Sequence, residues 1–201
     1  MNIKMLKAAL AGLVLTVSDI ASAGLITLDF DDFESNSAGY TYYASPFNTE
    51  GFQLTGNFIG NDYAIAGSGH IDYINSASLI TFGDETHTLQ QINASSFDLL
   101  SLDFTQINAL LGNYNNLSFI GNLAGGGTVS QMINFDNIFN VQNIAFTGFT
   151  NLTSVQFSNG SSQALQIDNI VLRTTNVPEP STLAIFALGI IGLASRRFKK
   201  K

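Results

Sequence analysis

The sequence predicts an all-β domain, a two-sheet antiparallel β-sandwich of jelly-roll-like form, with one helix before it and one after it. Three observations carry that prediction. Apolar and polar residues alternate with a period of two, as in Ile26, Leu28 and Phe30 against Thr27 and Asp29, and in Val129, Gln131, Ile133 and Phe135 against Ser130 and Asn134. Turns rich in Asn and Gly, such as Gly125-Gly126-Gly127 and Asn159-Gly160, separate the runs roughly every dozen residues. Between the two ends no segment sustains a 3.6-residue period, while sixteen Phe and six Tyr supply core volume.

Strands are expected, in order, at 25–30, 51–58, 63–65, 79–82, 97–104, 117–123, 128–135, 142–147, 154–158 and 164–172. Each is a short run of β-branched, aromatic or aliphatic residues bounded by turn formers.

The ends read differently. Residues 1–23 form a secretory signal peptide: Lys4 and Lys7 open it, residues 8–17 are its apolar core, and Ala21-Ser22-Ala23 is a small-residue cleavage site that leaves Gly24 first. Residues 177–201 run from Val177-Pro178-Glu179-Pro180 through an apolar stretch at 183–194 to Arg196, Arg197, Lys199, Lys200 and Lys201. Two prolines fix φ and remove two backbone donors, so this motif is extended and accessible, as a protease substrate must be. Twelve apolar residues span about 18 Å as a helix against about 30 Å of bilayer hydrocarbon. They make a marginal transmembrane helix, lengthened when Arg196 and Lys199 snorkel. The basic cluster belongs on the cytoplasmic side, which puts everything before Val177 across the membrane. The working domain is then 24–176.

The order of proline-bracketed acid, apolar helix and Arg/Lys tail resembles the PEP-CTERM sorting signal of Gram-negative bacteria. That resemblance implies export by the secretion machinery, brief residence in the inner membrane, cleavage near Pro178-Glu179-Pro180 by a membrane-embedded exosortase, and delivery to the cell surface or exopolysaccharide matrix. A second pattern, SFDLLSLD at 96–103, FTNLTSVQF at 149–157 and IDNIVL at 167–172, resembles the jelly-roll ectodomains found ahead of such signals. It implies a fold rather than an activity.

The formal net charge of −7 understates the acidity of the domain. Seven of the eight cations lie in the two ends, leaving Arg173, whereas thirteen of the fifteen acids stay, for a net charge near −12. Such a surface repels nucleic acid and anionic lipid and attracts divalent cations. With no cysteine, stability rests on packing and on any bound metal.

Asp29, Asp31, Asp32 and Glu34 place four carboxylates in six positions. On an extended chain Asp29 and Asp31 share a face, and Asp168 shares one with Ile170 and Leu172, an acid on an apolar side that needs a partner. Oxygen ligands suit Ca²⁺, so Asp29, Asp31 and Asp168 are the candidate metal ligands; carbohydrate-binding jelly rolls of similar shape hold a structural Ca²⁺ between first and last strands. The alternative is solvated strand-end acids, with one capped by backbone amides. His70 and His87 lack a zinc spacing and are expected to decorate loops. Ser68 lies outside a nucleophile elbow, and the glycines of 121–128 lack the lysine of a phosphate loop. No catalytic residue is assigned. Tyr40, Tyr42 and Tyr43 suit either a platform for stacking on sugar rings or a half-buried strand. The function expected is that of an exported surface or matrix protein with a structural or adhesive role in exopolysaccharide or biofilm. A carbohydrate-binding module without catalysis is the first rival and a glycan-active enzyme the second.

Overall fold

The computed structural model describes residues 23–57, 62–82, 86–107, 116–135, 139–158 and 164–175. The chain divides into two units, Leu25–Thr174 and a second made of Met1–Gly24 with Thr175–Lys201. The leader up to residue 22 and the signal at 177–201 lie outside the described residues. No helix among the described residues is long and apolar enough to cross a membrane.

Thirteen strands are described: β1 (Ala23–Leu28), β2 (Tyr40–Tyr43), β3 (Phe47–Thr49), β4 (Phe52–Thr55), β5 (Tyr63–Ala66), β6 (Leu79–Thr81), β7 (His87–Gln91), β8 (Phe97–Gln106), β9 (Asn116–Leu123), β10 (Thr128–Asn134), β11 (Gln142–Ala145), β12 (Leu152–Ser158) and β13 (Leu165–Thr175). Two antiparallel sheets follow from their pairing. The first runs β2-β5-β6-β13-β8-β11, with β1 also against β13; the second runs β3-β4-β7-β12-β9-β10. A single bridge, Leu152 to Phe97, joins them. The expected jelly-roll-like, all-β sandwich is the fold observed.

The core lies between the sheets, because alternate residues of each strand point inward. Tyr63, Ile65, Leu79, Phe104 and Ile167 of the first sheet meet Phe52, Leu54, Leu89, Phe119 and Val155 of the second in one buried cluster. Aromatic rings bridge the layers edge-on, as Phe52 does with Phe97 at 5.3 Å. Such pairs add roughly 0.5–1.5 kcal/mol beyond the area they bury.

Two breaks in alternation correct the sequence reading. At the end of β1 Phe30 adopts φ 58, and a 3₁₀ turn follows at Asp31–Phe33. The chain therefore leaves the sheet at Leu28, and Asp29 and Asp31 do not share a strand face. In β13 Asn169 has φ 47, and the register with β8 shifts between Asp168 and Val171. Leu165 and Ile167 face the core before this bulge, Ile170 and Leu172 after it. Asp168 thus lies opposite Ile170 and Leu172, not beside them. Strands β3 and β7 were also not expected, whereas β2 is the half-buried strand that Tyr40, Tyr42 and Tyr43 suit, and His87 is a buried strand residue, not a loop decoration.

Candidate functional site

The outward face of the first sheet gathers the side chains able to recognise a ligand. Register fixes who stands beside whom: Tyr40 is opposite Ala66 and Tyr42 opposite Ala64, while Tyr43 is opposite Tyr63. Tyr43 therefore turns to the core, 5.2 Å from the Phe47 ring, and leaves Tyr40 and Tyr42 outside. Small alanines under the two tyrosines let the rings approach the sheet. Phe82, just past β6, completes a three-ring group. Its ring lies 6.2 Å from Tyr40 and 6.1 Å from Tyr42, and the tyrosine rings are 6.0 Å apart. Ala64, Ala66, Ile80, Ile107 and Ala164 form a second buried cluster behind Tyr40 and Phe82, whereas Tyr42 is 52% exposed.

Tyr40 is held on its other side by the turn after β5. The His70 ring packs 4.2 Å from it, and its hydroxyl donates to the carboxylate of the buried Asp72. His70 Nδ1 in turn accepts the Asp72 backbone N–H at 3.2 Å. The loop at 67–70 is stitched to 35–39 by backbone bonds from Gly67 to Gly39, Ser68 to Ser35 and Gly69 to Ser37, at 2.9–3.2 Å. Gly67 is required there, since a Cβ would sit 2.1 Å from the Ser37 carbonyl oxygen. One tyrosine is thereby rigid and its neighbour Tyr42 is free to meet solvent.

The row continues across the sheet as Tyr42, Ala64, Ile80, Gln166 and Thr105, but all after Tyr42 are buried, so the exposed part of this face ends at the aromatic group. Beyond it lie Asp168, Asp103 and Asn143 in register. Asn143 donates to Asp103 at 2.7 Å, and Asn169 donates to the other Asp103 oxygen at 3.0 Å. Asp168 is 3% exposed, accepts the Asn169 backbone N–H at 2.7 Å and accepts the Ser76 hydroxyl. Burial pushes its carboxyl up to about 6; the bonds to Ser76 and Asn169 oppose this, and the charges of Asp31 and Asp103 add to it.

The candidate metal ligands come together only in part. Asp29 accepts the Asp31 backbone N–H at 3.3 Å, closing its own turn. Asp31 accepts the Ala77 N–H at 3.3 Å, so Asp31 and Asp168 converge on Ser76 and Ala77. Among the described residues no three acids or histidines cluster as a metal site. His87, between Tyr63 and a stacked Phe157 at 5.4 Å, is buried and its pKa is lowered to about 4 by that burial. Sequence reasoning found the tyrosines but missed Phe82, Asp72 and the supporting role of His70. Phe82 was findable, since it has the parity of Ile80.

The fold is thus that of an acidic β-sandwich whose outward face bears a group of three aromatic rings, two of them packed from behind. The chain carries a sorting signal as well: residues 176–200 match the family model of the PEP-CTERM protein-sorting motif, the mark of an exported protein handled by exosortase. No curated protein matches the sequence. Among solved structures it is similar to a family 29 carbohydrate-binding module, at 14% identity over 81% of this chain and 98% of that one, with a TM-score of 0.44. Mutants of such a module complexed with mannohexaose and with cellulohexaose are similar at 14% identity and a TM-score of 0.44. They cover 77% and 76% of this chain and 94% and 92% of their own. At that distance the likeness has no bearing on what this chain binds.

Proposed function

We propose that this protein is a non-catalytic component of the cell surface or extracellular matrix, sorted there by exosortase, and that it holds polysaccharide on the face formed by Tyr40, Tyr42 and Phe82. The observation that carries the reading is the half-exposed Tyr42 ring set beside two rings whose positions are fixed from behind. Sugar rings present C–H faces that stack on aromatic rings, and a preformed platform loses little entropy on binding. With a net charge near −12 the domain disfavours polysaccharides rich in uronic acid, so the ligand class is a neutral glycan. Catalysis is disfavoured by the placement of Asp168. Its carboxyl, raised in pKa as a general acid requires, is buried with both oxygens engaged, and that of Asp62, also raised, is buried as well.

Affinity electrophoresis through gels cast with neutral glucan, mannan or the producing cells' own exopolysaccharide tests the proposal. Retardation is expected for the natural chain. Tyr42→Ala should weaken it roughly tenfold, since a sugar ring stacked on one tyrosine contributes about 1–2 kcal/mol of binding. Tyr43→Phe, on the core side, should bind unchanged. Equal mobility of the natural chain and Tyr42→Ala in every gel overturns the reading.

A further inference from the structure

The acids of this chain are unevenly placed. Asp136 is the one charged residue between Asp103 and Asp168, a stretch that supplies β9, β10, β11 and β12. On the second sheet the row Thr55, Thr88, Gln156, Ile120 and Ser130 crosses the outward face without a charge and ends at β10. β10 is an edge strand. Its seven residues pair in unbroken register with β9 and, among the described residues, with no other strand.

Edge strands are ordinarily kept short, charged, bulged or proline-bearing, because their free N–H and C=O groups template another strand. The edges at β2, β3 and β11 have four, three and four residues. β10, with the sequence TVSQMIN, has none of these protections. The Leu123 N–H donates to the Gly127 carbonyl at 3.0 Å, which fixes the phase of the hairpin. Counting in twos from that pair, Val129, Gln131 and Ile133 bond to β9, and Thr128, Ser130, Met132 and Asn134 turn their N–H and C=O groups to the open edge. The side chains of these four are exposed, Met132 at 63%.

We propose that β10 pairs antiparallel with β10 of a second copy, joining two six-stranded sheets into one of twelve. The strand is self-complementary about Gln131. Ser130 meets the partner's Met132, Val129 meets the partner's Ile133, and Thr128 meets the partner's Asn134, so apolar residues meet on the inward side. The charge distribution selects a second copy as the occupant: like charge drives two such acidic domains apart on their other surfaces, and along this edge there is no charge to oppose association.

The experiment is sedimentation of the full chain in detergent micelles. A reversible dimer is expected. Ser130→Pro removes only a donor that faces the open edge, so circular dichroism should be unchanged while dimer dissociation strengthens at least tenfold, because each dimer forgoes two hydrogen bonds. Because the chain has no cysteine, register can be read directly. Ser130→Cys mixed with Met132→Cys should oxidise to a cross-linked dimer faster than either variant alone. A monomer at every concentration, a dimer that Ser130→Pro leaves intact, or cross-linking indifferent to register overturns the proposal. Association through the terminal apolar segments would survive Ser130→Pro and counts among the overturning results.

Discussion

His87 and Asp168 act on stability in opposite directions as pH changes. The folded-state pKa of Asp168, about 6, lies above its ordinary 3.8, so the stability gained from its protonation is full below pH 3.8 and lost as pH rises through 6. That of His87, about 4, lies below 6.5, so the stability of its neutral form is full above 6.5 and lost as pH falls to 4. Each effect is worth about 3 kcal/mol over its range, so the natural chain should show nearly constant stability between pH 4 and 6.5. Asp62, raised by burial with Ser45 opposing, adds in the same sense as Asp168 and tilts this balance toward lower stability as pH rises. Urea midpoints across that interval check the balance. Asp168→Asn should lose stability on acidification, and His87→Phe, stacked on Phe157, should gain it; parallel curves for both variants would refute the opposition. The same material tests calcium: an ion held by Asp31 and Asp168 raises the midpoint at pH 7.5 in the natural chain and not in Asp168→Asn.

Among the strands, legibility from sequence depended on length and on agreement between pattern and burial. β10 was read nearly to its end because alternation and burial agree along it after the glycine turn at 125–127, and β8 because its run is long and apolar, although its buried parity changes at Leu100 and Ser101. β3 was missed because three residues are too few to show a period, and β7 because His87-Thr88-Leu89-Gln90-Gln91 hides one Leu among polar neighbours. The faces of Asp31 and Asp168 were misjudged for another reason. A single positive φ, at Phe30 and at Asn169, inverts every later side chain and leaves no mark in composition. The aromatic group was half legible, since parity set Tyr40 and Tyr42 together, but Phe82 and Asp72 arrive from other segments. Gly121 shows what a glycine in a strand can conceal. It faces inward on β9, where a Cβ would lie 2.8 Å from Leu152 Cδ2, 3.0 Å from Val129 Cγ1 and 3.2 Å from Phe149 Cδ1. Gly121→Ala should therefore destabilise by about 1–3 kcal/mol, the usual range for overpacking. A chemical-denaturation midpoint equal to that of the natural chain would show that these neighbours yield freely.

Across the whole molecule, charge ties sorting to function. Seven of the eight cations lie in the leader and the tail, so removal of both ends converts a chain of formal charge −7 into a domain near −12. The tail carries five of the cations; without it and the leader the domain keeps Arg173, 3.6 Å from Asp98, and has little to hold it to an anionic membrane. A marginal apolar run of twelve residues serves a segment held briefly and then cut off better than a permanent anchor. Cleavage near Pro178-Glu179-Pro180 thus has two measurable consequences. The product recovered from medium or matrix should lack residues 183–201 by intact mass, and it should elute from an anion exchanger at higher salt than the full chain. Replacing Pro178, Glu179 and Pro180 together by alanine should keep the tail attached and shift the protein to the membrane fraction, with the sandwich unaltered. Product that reaches the medium with Lys201 still in place would mean that release does not depend on this cut, and that the acidity of the domain is unrelated to how it leaves the membrane.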